Sequence, residues 1–491
     1  MTLKSGEDDT DPRTAATGAA EVRVRGPLGG SALMEQLASH CVSAAAGSPA
    51  DSPAMARAKE CVLDLLTLAL GGTRTEVGQM ALRSRSAPFF PDRSDVRGCS
   101  VAGIPTSLSP GDAAGVNGLL GHALQCEDGM RRAHGHPGIA VIPAVLAAAQ
   151  LTDADGPTFL RGVIAGYETF GRVGAAINPA HLSLGFHPSG TVGALAAAAG
   201  ASSVLAPGDL NQIQNSMALA GSVSGGLMEY SHYGDMSSYF VGGNAARVGI
   251  DAALLARAGM MGPLTVLEGT YGMAATMANR TLHESELTDI KEDGPHILQT
   301  YTKLFPSCRH THSAIEAALY LRNELPPAND IESVQIEVYR LAVDECNRPT
   351  AASLAGAESS LQMTVAAALV HGDLSLEHRS YERYLDDRVQ ALSRRVTVVH
   401  DPGLDAALPD QRPARLTVRT AAGGTARAQV DLPRGEPEQP LTWQTLTGKA
   451  WSACSGVLTR EQFTRLESAV ASLDRPGSLR QLTNALASNP L

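Results

Sequence analysis

The sequence predicts a mainly α-helical protein: a large all-helical domain with a smaller α+β domain inserted into it. Three observations carry that prediction. Apolar residues make up 44% of the 491 positions but aromatics only 4%, so the core must come from Ala, Leu, Val and Gly, which suits closely packed helices. Helical patterning fills the first half of the chain, whereas β-type alternation is confined to the region after Met277. Helical patterning then resumes near Thr442. A chain of this length exceeds one comfortable core, and the helical–mixed–helical order places the second unit inside the first.

Residues 1–28 are polar, rich in small residues and without an apolar run of the signal-peptide kind, so a disordered tail is expected. The helical domain is expected over residues 29–277. Within it, Met55–Gly72 places Ala58, Cys61, Val62, Leu65, Leu66 and Ala69 on one face and closes on Gly71-Gly72, a helix stop. The runs GIAVIPAVLAAAQ, FLRGVIAGYETFGRVGAAI and GTVGALAAAAGASSVL are apolar nearly all round, which marks helices buried on several sides. The α+β unit is expected over residues 278–436. There, SVQIEVYRLAV (Ser333–Val343) and RRVTVVH (Arg394–His400) alternate in the β manner, and Gly423-Gly424 reads as a hairpin turn. Helical runs such as HSAIEAALYLRNEL and SLQMTVAAALVHG lie between them. Residues 437–491 return to the helical domain through TLTGKAWSACSG and REQFTRLESAVASL.

The net charge is −11 and the basic residues are scattered, so neither a nucleic-acid nor a membrane partner is expected. The longest weakly polar stretch, Gly190 to Ala206, is too short to span a bilayer. Seven cysteines are spread widely with no CxxC pair, which matches reduced thiols rather than a zinc site, an iron–sulfur site or a disulfide framework. A cytoplasmic protein acting on a small molecule is the expectation.

Three stretches carry candidate chemistry. HALQCEDGMRRAHGHPGIAVIPA (His122–Ala144) brings Glu127, Asp128, His134 and His136 just ahead of an apolar helix starting near Pro137. A helix N-terminus offers free N–H groups and partial positive charge to a bound carboxylate, and His136 beside it is placed to exchange protons with that ligand. The His134–His136 pair by itself is equally compatible with a metal site or a surface loop. GFHPSGTVGALAAAAG (Gly185–Gly200) repeats the form, with His187 before Pro and a helix dense in small residues. Alone, His187 reads as a capping histidine. In YTKLFPSCRHTHSAIEAAL (Tyr301–Leu319), Lys303, Arg309, His310 and His312 surround a Pro turn, forming either a basic pocket for an anionic substrate or a solvated loop.

Together and in this order these stretches, with ARAKECVLDLLTLALGG, GGNAARVGIDAALLARAG and the late RGEPEQPLTWQTL, resemble the MmgE/PrpD family, which includes 2-methylcitrate dehydratases and cis-aconitate decarboxylases. The resemblance runs from about Met34 to the C-terminal region. It implies that the α+β unit is a lid over an active site between the domains, and that the protein is a homodimer. It also implies that no metal or organic cofactor is used. His136 and His187 match the family's two active-site histidines, and Lys303 matches the lysine of the lid-side motif. Several positions depart from the family. Its first Asp is Gln125 here, although Glu127 and Asp128 keep the acidic pair. The Thr after that pair is Gly129, and the Lys before GGNAARVG is replaced by Ser, at Ser238. An AKFS-like segment has become AESS at Ala357–Ser360.

The departures remove a positive charge and hydrogen-bonding groups, which weakens recognition of a multiply charged acid. The expected function is a cofactor-free lyase. It would take a proton from a carbon next to a carboxylate and expel water or an activated group such as phosphate, in a specialised pathway. His136, His187 and Lys303 would be catalytic, and Gln125, Glu127, Asp128, Gly129, His134, Ser238, Arg309 and His310 would bind substrate. An isomerase or decarboxylase on the same scaffold, an inactive binding homologue and a metal-dependent hydratase using His134 and His136 are the alternatives.

Overall fold

The computed structural model describes residues 31–85, 98–288 and 294–487, so the expected tail lies outside the described residues. The fold is mainly α, with one small mixed sheet in a minor α+β region, as the sequence patterning predicts.

The helix Pro188–Leu205 lies at the centre of the helical part, packed on Gly156–Ile177, Gly138–Thr152, Leu210–Val223 and Ser237–Arg257. Ala, Gly and Ser make up two thirds of it, so neighbouring backbones come close. A Cβ on Gly200 would lie 2.7 Å from the Gly162 carbonyl oxygen, and one on Gly118 would lie 2.9 Å from the Gly243 Cα. Ser52 caps the helix Pro53–Gly72 by accepting the Met55 N–H, and Pro53 occupies the first turn, where no N–H is needed.

That helix departs from the single apolar face expected of it. Every residue from Val62 to Gly72 is buried, including Asp64. The cause is the helix Trp443–Cys454, which packs on its other side and sets Lys449 Nζ 2.6 Å from Asp64. Leu446, Ala450, Leu458, Phe463 and Leu466 from the end of the chain share one hydrophobic core with the N-terminal helices.

A second core, from Phe305 to Val418, underlies a four-stranded sheet. The strand order is Val396–His400, Ile331–Val338, Ala414–Thr420, Thr425–Val430; the first pair is parallel and the others antiparallel. The strand expected to run to Val343 stops at Val338, and Arg340–Cys346 is helical. Tyr339, Ala342 and Cys346 are buried at spacings of three and four, which a helix can satisfy and a strand cannot. Among the described residues, no helix is long and apolar enough to cross a membrane.

Candidate active site

The site is built on the loop between the helices Pro110–His122 and Gly138–Thr152. Gln125 turns the chain with φ 53°, and the Glu127 and Asp128 carboxylates that follow reach different partners. Pro137, at the start of the second helix, has no capping side chain, and Asp128 fills that role from across the loop. Its Oδ1 accepts the Gly138 N–H at 3.1 Å and its Oδ2 accepts the Tyr167 hydroxyl at 2.5 Å. Burial pushes Asp128 up to about 6, against those hydrogen bonds.

Glu127 is fully buried and is the hub of the cluster. Its Oε1 lies 2.7 Å from Lys303 Nζ and 3.4 Å from Nδ1 of both His122 and His136. Burial alone would raise its pKa, but Lys303 and the two imidazoles hold it well below the usual carboxylate range. Lys303 is itself buried; burial opposes its charge, and Glu127 more than restores it. The lysine also donates to the Gln125 carbonyl at 3.2 Å. An ammonium has three N–H groups, so these two bonds leave one for a ligand. Lys303 is brought to the loop by a short antiparallel pairing of Gly129–Met130 with Thr300–Tyr301.

The two motif histidines are tied together through Ser189, whose hydroxyl accepts the His136 backbone N–H at 2.9 Å. His122, at 6.0 Å between ring centroids from His136, acts electrostatically on both His136 and His187. Their hydrogen bonds differ in sense. His136 Nδ1 lies 2.6 Å from the Asp128 carbonyl, which can only accept, so Nδ1 carries the proton and Nε2 a lone pair. His187 Nδ1 accepts the Ser189 backbone N–H at 3.1 Å, so its proton is on Nε2. Burial keeps both rings neutral. It holds His136 well below an ordinary histidine, with Lys303 adding to the effect, and pushes His187 down to about 3.

The other expected substrate contacts fall elsewhere. Arg309 is buried against Glu436, with Nη2 2.7 Å from Oε1, and its guanidinium lies 4.4 Å over the Tyr301 ring. Glu436 also meets Arg131 at 3.2 Å. A buried guanidinium needs a counter-charge, and this one has it within the fold, so the expected free basic cluster does not form around Arg309. His310 is turned to the Tyr339 hydroxyl, with its Nε2 3.4 Å from Glu345. Gly129 packs beneath Tyr301, where a Cβ would come 2.3 Å from the hydroxyl. His134, at φ 54°, sits by Arg412, and burial followed by that guanidinium lowers it to about 3. Asp128 caps a helix, as described. Among the described residues, no three His, Cys, Asp or Glu side chains are grouped to hold a metal ion.

Gln125 and Ser238 do share a cavity, of about 40 Å³, with Tyr230, Cys308, Glu345 and Arg348. The Tyr230 ring lies 5.6 Å from His187, which joins this cavity to the histidine pair. Tyr230, Cys308, Glu345 and His122 are absent from the sequence-based site. His122 and Cys308 carry a signal, since His122 opens the quoted acidic motif and Cys308 lies within Tyr301–Leu319.

Residues 35–285 match the MmgE/PrpD N-terminal domain, and residues 305–475 match the MmgE/PrpD C-terminal domain. The chain is 28% identical to the cis-aconitate decarboxylase-like protein oryM of Aspergillus oryzae, over 88% of this chain and 93% of that protein. It is 27% identical to the cis-aconitate decarboxylase of Mus musculus, over 88% of each. Identity to the cis-aconitate decarboxylase of Aspergillus terreus is 26%, over 92% and 96% respectively.

Proposed function

The chain belongs to the MmgE/PrpD family and is an enzyme of lyase type, and from that premise we propose that it eliminates a leaving group from a small carboxylic acid by proton transfer through His136. The observation that carries this reading is the opposite polarity of the two histidines. His136 presents a lone pair at Nε2, and His187 presents an N–H. His136 takes the proton from the carbon next to the substrate carboxylate. The electron pair moves into that carboxylate, whose developing charge meets the His187 N–H and the third N–H of Lys303. The pair then returns to form the C=C bond as the leaving group departs, and where that group is hydroxide, His136 gives it the proton and water is formed.

Glu127 and Lys303 act on His136 in opposite senses, Lys303 disfavouring and Glu127 favouring its protonated form. Burial is the largest influence and with Lys303 outweighs Glu127, so the ring is neutral at rest, free to accept a proton and ready to release it again. With Lys303 already bonded to Glu127 and Arg309 to Glu436, the reading favours a substrate with fewer charges than a tricarboxylate. Decarboxylation is the second reading, favoured by the names of the similar proteins. A homodimer also belongs to this proposal. Leu184, Val223, Leu227 and Phe240 are exposed beside the Gly226 carbonyl that accepts the His187 backbone N–H, an apolar face suited to a second copy.

The test follows β-hydroxy monocarboxylic acids and cis-aconitate by proton NMR in deuterium oxide. Exchange of the proton next to the carboxylate, with alkene formation and its loss in His136→Gln, is expected. Release of carbon dioxide from cis-aconitate instead would select the second reading. No exchange or turnover with any of these acids would reject both.

A further inference from the structure

The cavity beside His187 has an acceptor-rich wall that the proton-transfer chemistry does not use. Two carboxylates, Asp235 and Glu345, line it against one cation, Arg348. Ser238 is 2% exposed, and its hydroxyl has no hydrogen-bond partner although it lines this space. A buried hydroxyl left without a partner loses about 1–3 kcal/mol, which a ligand group would recover. Gln125 donates its amide N–H to Tyr239 at 3.3 Å, leaving its amide oxygen as an acceptor. Tyr230 adds an aromatic face to the same lining. Glu345 is held in place from behind by His310, 3.4 Å away, which is in turn bonded to Tyr339.

A carboxylate, an amide oxygen, a hydroxyl and an aromatic ring around one small space are the groups that receive an ammonium. A second substrate carboxylate would meet Glu345 and Asp235 instead. We propose that this cavity is a subsite for a protonated amine, with Glu345 its specificity-determining residue, so that the substrate is a small amino acid rather than a di- or tricarboxylate. The proposal rests on the lyase reading for the placing of the first carboxylate at Lys303. Burial pushes the Glu345 carboxyl up to about 8, and the Cys308 charge adds to this against Arg412 and Arg348, so a ligand cation would displace its proton.

Three unreactive probes that differ only at one end test this by titration calorimetry on the full chain: 4-aminobutyrate, butyrate and glutarate. The expected order has 4-aminobutyrate bound about tenfold or more tighter than glutarate, with butyrate between them. Glu345→Gln, which keeps the shape, should erase that preference, and Ser238→Lys should turn it towards glutarate. Both variants are checked for unchanged melting. Equal or tighter binding of glutarate by the wild type, an unchanged preference in Glu345→Gln, or no binding of any probe at millimolar concentration would overturn the proposal. Because binding is read without turnover, these outcomes are distinct from failure of the hydrogen-exchange experiment, which tests the lyase reading alone.

Discussion

The two walls of the site differ in how completely they are wired. On the loop-and-helix wall, Glu127, Asp128, His136, His187 and Lys303 each have at least one hydrogen-bond partner within the fold whose direction is set, and among the fully buried polar atoms of these five side chains only the second Glu127 oxygen, Oε2, is left without one. On the facing wall, the Ser238 hydroxyl has no hydrogen-bond partner among the described residues, and Glu345 meets His310 at 3.4 Å, with Arg412 and Arg348 acting on it electrostatically. A wired wall holds its protonation states before substrate arrives, which acid–base chemistry requires. A loosely wired wall leaves groups to be satisfied by a ligand, which suits discrimination. The difference suggests that reaction type belongs to the first wall and substrate choice to the second.

The sharpest way to break this comparison is to remove the base. His136→Ala should lower turnover by roughly 100-fold or more, measured on protein whose circular dichroism shows the fold retained. His187→Gln keeps an N–H donor and should retain more activity than His187→Ala. Equal losses in the two His187 variants would show that His187 does more than donate a hydrogen bond.

Next in size is the buried ion pair. Lys303→Met leaves the Glu127 charge unpaired in the interior and should destabilise the protein by about 3–5 kcal/mol in urea unfolding. Lys303→Met combined with Glu127→Gln should recover most of that loss, and activity should stay low in both. If the double variant is no more stable than the single one, the pair is not the cause. A smaller effect is expected for Gly129→Ala. The added methyl would meet Tyr301 at 2.3 Å, and overpacking of this kind costs about 1–3 kcal/mol by the same unfolding measurement.

Much of the fold could be read from the sequence because its signals are local. Small-residue helices, strand alternation and the Gly423-Gly424 turn each occupy one short stretch. The reading failed where a partner distant in sequence decides the outcome. Asp64 sits on a helix face that looks polar until Lys449 arrives to pair with it. Arg309 looked free because Glu436, 127 residues away, cannot be assigned to it from spacing. The same blindness hid the Glu127–Lys303 bond, although both residues had been singled out separately. Glu345 lies just past the end of a strand that alternation alone extends too far, and nothing in its neighbourhood marks it as facing a cavity.

The smallest predicted effect separates two carboxylates that are adjacent in sequence. Glu127 and Asp128 form one acidic pair in the sequence, yet the fold moves them in opposite directions. Burial raises Asp128 from 3.8 to about 6, whereas Lys303 and the histidines outweigh burial and lower Glu127 from 4.5. Below pH 3.8 Asp128 is protonated in both folded and unfolded chains and has no linked effect on stability. Between 3.8 and about 6 the unfolded chain releases the proton first, so this group makes the fold less stable as pH rises. The difference between 3.8 and about 6 corresponds to an upper bound of about 3 kcal/mol. Glu127 contributes in the other sense: its stabilisation is present above pH 4.5 and is lost as pH falls below it. Asp128→Asn should therefore gain stability relative to the wild type as pH rises from 4 to 6, reaching a net gain of about 1–2 kcal/mol near pH 7 after the Tyr167 hydrogen bond is weakened. Glu127→Gln should show the opposite trend at the lower end of that window, losing stability relative to the wild type between pH 4 and about 5.5, where Glu127 ionises in the unfolded chain but is already ionised in the folded protein. Urea unfolding of the three proteins at closely spaced pH values reads both slopes. Parallel slopes for the two variants would mean that Asp128 and Glu127 are not divided between holding the helix and serving the histidines.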